Sequence, residues 1–305
     1  MSTVTTKGSH LGRVWVIATH AFTQLVRMKV FYFLAVFAVI AIASNFFDLP
    51  QHEGPESAGV NVLRSIKSWS LGTMTLFSVV LSIVATALLL PKDVEDRTLY
   101  TILAKPVPRI DYLAGKLLGV LMLVFVSLAL MDGLMTVVLH IRTGIVLEQQ
   151  ITMAHALGWP EDAVASLKTE TMAHAPSWSL QAAVFAVFLR ASIMASLALL
   201  ISTFSSSTLF TTIISFLIYF IGHFQADARD AFMQSGEAGQ GIFSRALSLV
   251  LSLVMPDFQL FNVIDAVIEG QAFPMYLLVK LTLIGLFYAV FFTLASWFVF
   301  AEKEF

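Results

Sequence analysis

Six stretches of the chain run for 18 to 23 residues almost without charge, and a soluble fold has no place for so many. They are Val30–Phe47, Trp69–Leu90, Leu117–Leu139, Leu180–Ile201, Thr208–Gln225 and Leu281–Ala301. At 1.5 Å per residue, each is long enough as a helix to cross the roughly 30 Å of hydrocarbon in a bilayer. A helix satisfies its own backbone within one segment, and the strict alternation of a transmembrane β-strand is absent. Composition agrees: 58% of the 305 residues are apolar, 12% are charged, and the mean hydropathy is +0.84. Eighteen Lys+Arg and 20 Asp+Glu could not cover the surface of a soluble protein of this size. Disorder, a soluble enzyme and a coiled coil are excluded, and a net charge of −2 excludes a nucleic-acid binder. The absence of cysteine excludes disulfides and thiolate chemistry. The expected fold is all-α: a polytopic membrane protein with six transmembrane helices. The first run is not a cleaved signal, because a 29-residue polar stretch precedes it and no small-residue cleavage site follows.

Lysine and arginine set the expected orientation. With both termini on one side, that side holds ten: Lys7, Arg13, Arg27, Lys29, Lys92, Arg97, Lys105, Arg109, Lys116 and Lys303. The opposite side holds six: Arg64, Lys67, Arg142, Lys168, Arg229 and Arg245. The termini and the 91–116 loop are therefore expected in the cytoplasm, and loops 48–68, 140–179 and 226–279 outside. The chain divides into a cytoplasmic amphipathic segment, 1–29, and a membrane domain, 30–305.

Two segments are apolar but do not span. Between Arg13 and Lys29, Val14, Ile17, Ala18, Ala21, Leu25 and Met28 form one helical stripe, and Arg13, His20, Gln24 and Arg27 another. That pattern predicts an interfacial helix entering the first span. Ile242–Met255, 14 residues, is too short to cross. With Ser244, Ser248 and Ser252 on one face and Pro256 as its stop, it reads as an outer re-entrant helix.

Loop 91–116 is the most informative stretch. Asp93 and Arg97 form an i,i+4 pair, and Leu99, Ile102 and Leu103 form a small apolar face. Lys105-Pro106-Val107-Pro108 ends that helix, and a second start runs into the third span. There Gly115 and Gly119 allow a close helix approach. An apolar knob on a charged loop suits docking into a soluble partner; the plainer reading is a connector.

The loop resembles the signature of type-2 ATP-binding-cassette exporter permeases: an acidic residue before Thr-Leu, a Leu pair, Pro, Arg, then Gly-Lys entering the third span. The matching positions are Glu95, Thr98, Leu99, Leu103, Pro106, Arg109, Gly115 and Lys116. The resemblance implies that residues 95–109, Ile102 included, couple the chain to a separate ATPase subunit, which binds the ATP and Mg. It also implies a second permease copy or a sister permease, an exporter function, and a bacterial-type cytoplasmic membrane. The Pro256–Asn262 and Asp265–Gly270 runs resemble more distantly a branch of copper-enzyme-maturation permeases of the nitrous-oxide-reductase type. The chain itself has no Gly-x-x-x-x-Gly-Lys-Ser/Thr loop and no hydrolase motif, so it is expected to be neither an ATPase nor an enzyme of another class, and to hold no cofactor.

Asp132 in the third run and Arg190 in the fourth are the clear intramembrane charges. Such residues face the bundle interior, pair, or line a path, and counted depths of roughly 24 and 16 Å predict a pair between these two. The 140–179 loop repeats a pentapeptide, Thr152-Met-Ala-His-Ala156 and Thr171-Met-Ala-His-Ala175, around a Trp159-Pro160 turn. On an antiparallel hairpin, Met153, His155, Met172 and His174 are candidate ligands for a soft cation; the plainer reading is a loop rich in Ala, Met and His. A secondary transporter or channel would favour inverted repeats and broken helices, which are not evident. A non-transporting anchor or mechanotransmission subunit would share this fold.

Overall fold

The uncharged runs become helices, and several extend well past the bilayer. A computed structural model describes residues 10–44, 58–95, 108–205, 207–225 and 255–302. Its elements are α1 (His10–Val26), α2 (Lys29–Ala43), α3 (Ala58–Glu95), α4 (Arg109–Ala156), α5 (Glu161–Ala173), α6 (Trp178–Phe204), α7 (Thr208–His223), a 3-10 turn (Gln259–Phe261), α8 (Ile264–Ile268) and α9 (Met275–Glu302). Among the described residues every element is helical. Four helical stretches, carried by α3, α4, α6 and α9, are long and apolar enough to cross a membrane. α2 and α7, with 15 and 16 described residues, are shorter. The re-entrant segment 242–255 lies outside the described residues.

At 1.5 Å per residue, the 38 residues of α3 span about 57 Å and the 48 of α4 about 72 Å, far more than a hydrocarbon core. The uncharged runs 69–90 and 117–139 are the parts of these helices that suit a hydrocarbon core. The flanking turns continue outward as amphipathic helix where the sequence analysis placed loops. In the C-terminal extension of α4, Arg142, Val146, Gln150 and Ala154 are buried at four-residue intervals, one face of the helix. α4 ends at Ala156, the chain turns through Gly158 at φ 71°, and Pro160 opens α5, giving the expected hairpin.

α6 is the central helix, packed against α3, α4, α7 and α9. It is buried almost all round, through Ala182, Ala183, Ala186, Ala191, Ala195, Ala198 and Ser196 among others. Small residues let neighbouring backbones approach where lipid supplies no hydrophobic drive between helices. α9 instead buries one stripe, Leu281, Gly285, Phe292, Ser296 and Phe300. Its remaining surface, including Leu286, Phe287, Val290, Leu294 and Phe298, is exposed, as suits a helix bordered by lipid.

α7 stops short, and residues 256–261 meet its end. Phe258 donates its backbone N–H to Gly222 O at 3.2 Å, and the Gln259 side-chain amide donates to His223 O at 2.9 Å. A Cβ on Gly222 would lie 2.7 Å from Pro256 O, so only glycine permits this approach. Phe258 and Phe261 are fully buried. Irregular backbone at this depth is tolerated where protein covers it and supplies its hydrogen bonds.

Candidate functional site

α4 opens on a charged clamp. Arg109 opens α4 and donates from Nη1 to Phe300 O at 2.8 Å and Ala301 O at 2.6 Å. Those carbonyls belong to the last described turn of α9, the end that carries the negative pole of its dipole. The guanidinium also lies 5.9 Å from the centre of the Phe300 ring. Tyr112, one turn on, is fully buried and stacks on Phe300 at 6.2 Å.

Asp111 points the other way, to α1. Arg13 Nε donates to Asp111 Oδ2 at 2.8 Å, and His10 Nδ1 lies 3.1 Å from both carboxylate oxygens. Burial alone would raise the Asp111 carboxyl. Hydrogen bonds from Arg13 and His10 outweigh it and hold the group below the ordinary carboxylate range. Beyond this pair α1 lies directly on α4. A Cβ on Gly115 would fall 2.7 Å from Ile17 Cβ, and one on Gly119 would fall 2.7 Å from Ala21 Cβ and 2.8 Å from Ala18 O. The two glycines thus serve the close approach expected of them, with α1 as the partner.

One turn of α4 therefore grips both the start of α1 and the end of α9. Of the other coupling candidates, Glu95 closes α3, while Thr98, Leu99, Ile102, Leu103 and Pro106 lie outside the described residues. Asp111 was not singled out in the sequence. Its position two residues after Arg109, in the positive first turn of a helix, was the available signal.

The two intramembrane charges take different partners, correcting the expected pair. Gln181 donates to Asp132 Oδ1 at 3.2 Å. Arg190 Nη2 donates to Phe258 O at 3.1 Å, with Tyr219 beside it. Gln181 and Arg190 are nine residues apart on α6, about 13.5 Å along the axis, so a residue level with one does not reach the other. Counting residues compares depth but not the azimuth of each side chain. Nor did it anticipate residues 256–261, whose carbonyl takes up the guanidinium.

The Met/His pairs are not brought together. Thr171 Oγ1 and Gln150 Oε1 are 2.7 Å apart, which fixes the register of the α4–α5 hairpin. His155 lies five residues beyond Gln150 and His174 three beyond Thr171 in the opposite direction, about 12 Å apart along the hairpin. Met153, His155 and Met172 are exposed, whereas His174 is buried. Among the described residues no three His, Cys, Asp or Glu side chains gather to hold a metal.

A helical bundle with four stretches long and apolar enough to cross a membrane is a polytopic membrane protein. The family model described as ABC-2 family transporter protein matches residues 15–305. The chain belongs to this family: it is an ATP-binding-cassette transporter permease, a membrane subunit and not itself a catalyst. No curated protein matches it.

Proposed function

We propose that the chain is the membrane half of an exporter whose ATPase is a separate polypeptide docking on residues 95–107. The single observation that carries this reading is the clamp at the loop's exit. A pull on Pro108 reaches α9 through Arg109 and α1 through Asp111 without an intervening flexible segment. The proposed frame has six spans, with α2 and α7 as the first and fifth, and an outer re-entrant helix at 242–255. Segment 1–29 and domain 30–305 keep both termini and loop 91–116 in the cytoplasm of a bacterial-type membrane. Two copies, or one copy and a sister permease, pair with two ATPase subunits that hold ATP and Mg. Closing of the ATPases tilts the bundles and switches access across the membrane.

The test is Leu103→Asp, which places a charge in the proposed ATPase cleft. Truncating an anchor of this kind costs about 2 kcal/mol or more of docking energy. The variant is expected to insert normally and to lose the ATPase on co-purification. Normal insertion with the ATPase retained at wild-type stoichiometry would make the loop a plain connector.

A further inference from the structure

Just outside the 69–90 run, α3 presents Arg64 and Lys67 one turn apart, on one face of the helix. Lys67 is fully buried, while Arg64 is half-buried. His174, which ends α5, lies within electrostatic reach of both cations and is 3% exposed. Its ring packs against Gly270, where a Cβ would sit 3.2 Å from Cε1. Among the described residues no carboxylate lies within ion-pair distance of Arg64 or Lys67. Arg64 Nε and His174 Nδ1 are both buried without a hydrogen-bond partner. Burial pushes the His174 imidazole down, and Lys67 and then Arg64 push it further, against weaker upward pulls from Glu170 and from a hydrogen bond to the Ile268 backbone.

Buried cationic groups without a counter-charge, and buried nitrogens without acceptors, are costly unless something anionic and rich in acceptors fills the gap. A metal ion is the wrong sign here, which separates His174 from the soft-cation reading of its pentapeptide. An ammonium and a guanidinium side by side are the donors that recognise phosphate oxygens. Trp69 and Trp178, each 64% exposed at the outer start of α3's apolar run and of α6, stand where interfacial tryptophans mark the lipid headgroups. We infer that Arg64, Lys67 and His174 form an anion site on the outer face that takes a phosphate group. Half-buried Arg64 is the side of entry, and Lys67 and His174 are the floor. The phosphate comes from an outer-leaflet headgroup or from a soluble phosphate. The site does not depend on the exporter reading.

The experiment is thermal unfolding of the full chain in phosphatidylcholine nanodiscs, followed by tryptophan fluorescence. Inorganic phosphate is titrated against chloride at matched ionic strength, and a second series carries phosphatidylglycerol in the disc. Ligand that binds the folded state raises Tm saturably. A response to free phosphate assigns the soluble source, and a response to phosphatidylglycerol alone assigns the headgroup. Lys67→Met is expected to weaken the response about tenfold or more, the effect of losing a charge-assisted hydrogen bond, and to be no less stable than wild type in chloride. Arg64→Gln, at a half-exposed position that tolerates exchange, is expected to lose the response likewise and serves if Lys67→Met does not fold. The inference is overturned if neither anion raises Tm above matched chloride, or if the folded variants respond with wild-type affinity.

Discussion

At one end of the bundle, Asp111 sits between Arg13 and His10, and Arg109 caps the carbonyls of Phe300 and Ala301. At the other end, Arg64, Lys67 and His174 gather with no acid in ion-pair range among the described residues. The two ends hold similar numbers of charges and use them differently. Contacts at the α4 start tie three helices together, the unit that the proposed function sets in motion. Unmatched charges near the α3 start leave a demand that an external anion can meet. On the proposed reading, charge paired internally serves mechanics, and charge left over serves recognition.

Breaking a matched contact within the bundle should have the largest effect. Arg190→Met removes the charged donor that ties α6 to Phe258 O and leaves that carbonyl only the 3.3 Å bond from Phe261 N–H, a loss of about 3 kcal/mol. Folded yield after detergent extraction should fall sharply; an unchanged yield would show that residues 256–261 do not lean on Arg190. Gly119→Val comes next, because its side chain meets Ala21 Cβ and Ala18 O. Overpacking of that kind costs about 1–3 kcal/mol. The chain has no cysteine, so Ala18→Cys reports α1 docking alone. Maleimide labelling at that buried position should rise when Gly119→Val is added.

Asp111→Asn should have a smaller effect, about 1–2 kcal/mol, since Arg13 and His10 keep partial access to water. The same contact gives a pH dependence with a definite sign. The folded Asp111 carboxyl is held below its ordinary range, so its stabilisation is complete above that range and is lost as pH falls through the depressed value. Labelling of Ala18→Cys should therefore rise on acidification below about pH 4, and the rise should vanish in Asp111→Asn. The smallest effect belongs to Asp132→Asn, because an amide there can still accept from Gln181. Its effect should add to that of Arg190→Gln within about 0.5 kcal/mol, as for sites that share no contact. Strong non-additivity would restore the pairing that the geometry removes.

Much of this was legible in the sequence because it depends on period and punctuation. The Trp159-Pro160 turn placed the α4–α5 hairpin, the Pro106–Pro108 stop placed the start of α4, and Gly115 and Gly119 announced a close helix approach, though the stripe Val14–Met28 that meets them read as an interfacial face. What escaped depends on azimuth and on long-range meetings. The charges of 58–68 and 140–156 read as loops, yet they continue α3 and α4, since an amphipathic face keeps a helix going beyond the bilayer. Arg190 had an acid nearby in counted depth, but its partner is a backbone carbonyl 68 residues away in sequence, which no periodicity encodes. Lys67 looked like one more external lysine, and its full burial follows only from how α3 packs beside α5 and α8.

The central claim is that the turn at Arg109 carries the ATPase's motion into the bundle, and Arg109→Ala tests it most directly. The chain is reconstituted with its ATPase, and a single cysteine at Glu302, exposed at the end of α9, is labelled with maleimide in ATP and in ADP. In the wild-type background the labelling rate should differ between the two nucleotides. In Arg109→Ala the ATPase should remain bound and hydrolyse ATP, while the nucleotide-dependent difference at residue 302 disappears. A difference that persists undiminished in Arg109→Ala would contradict the account, because the motion would then reach α9 by a route that does not use this turn.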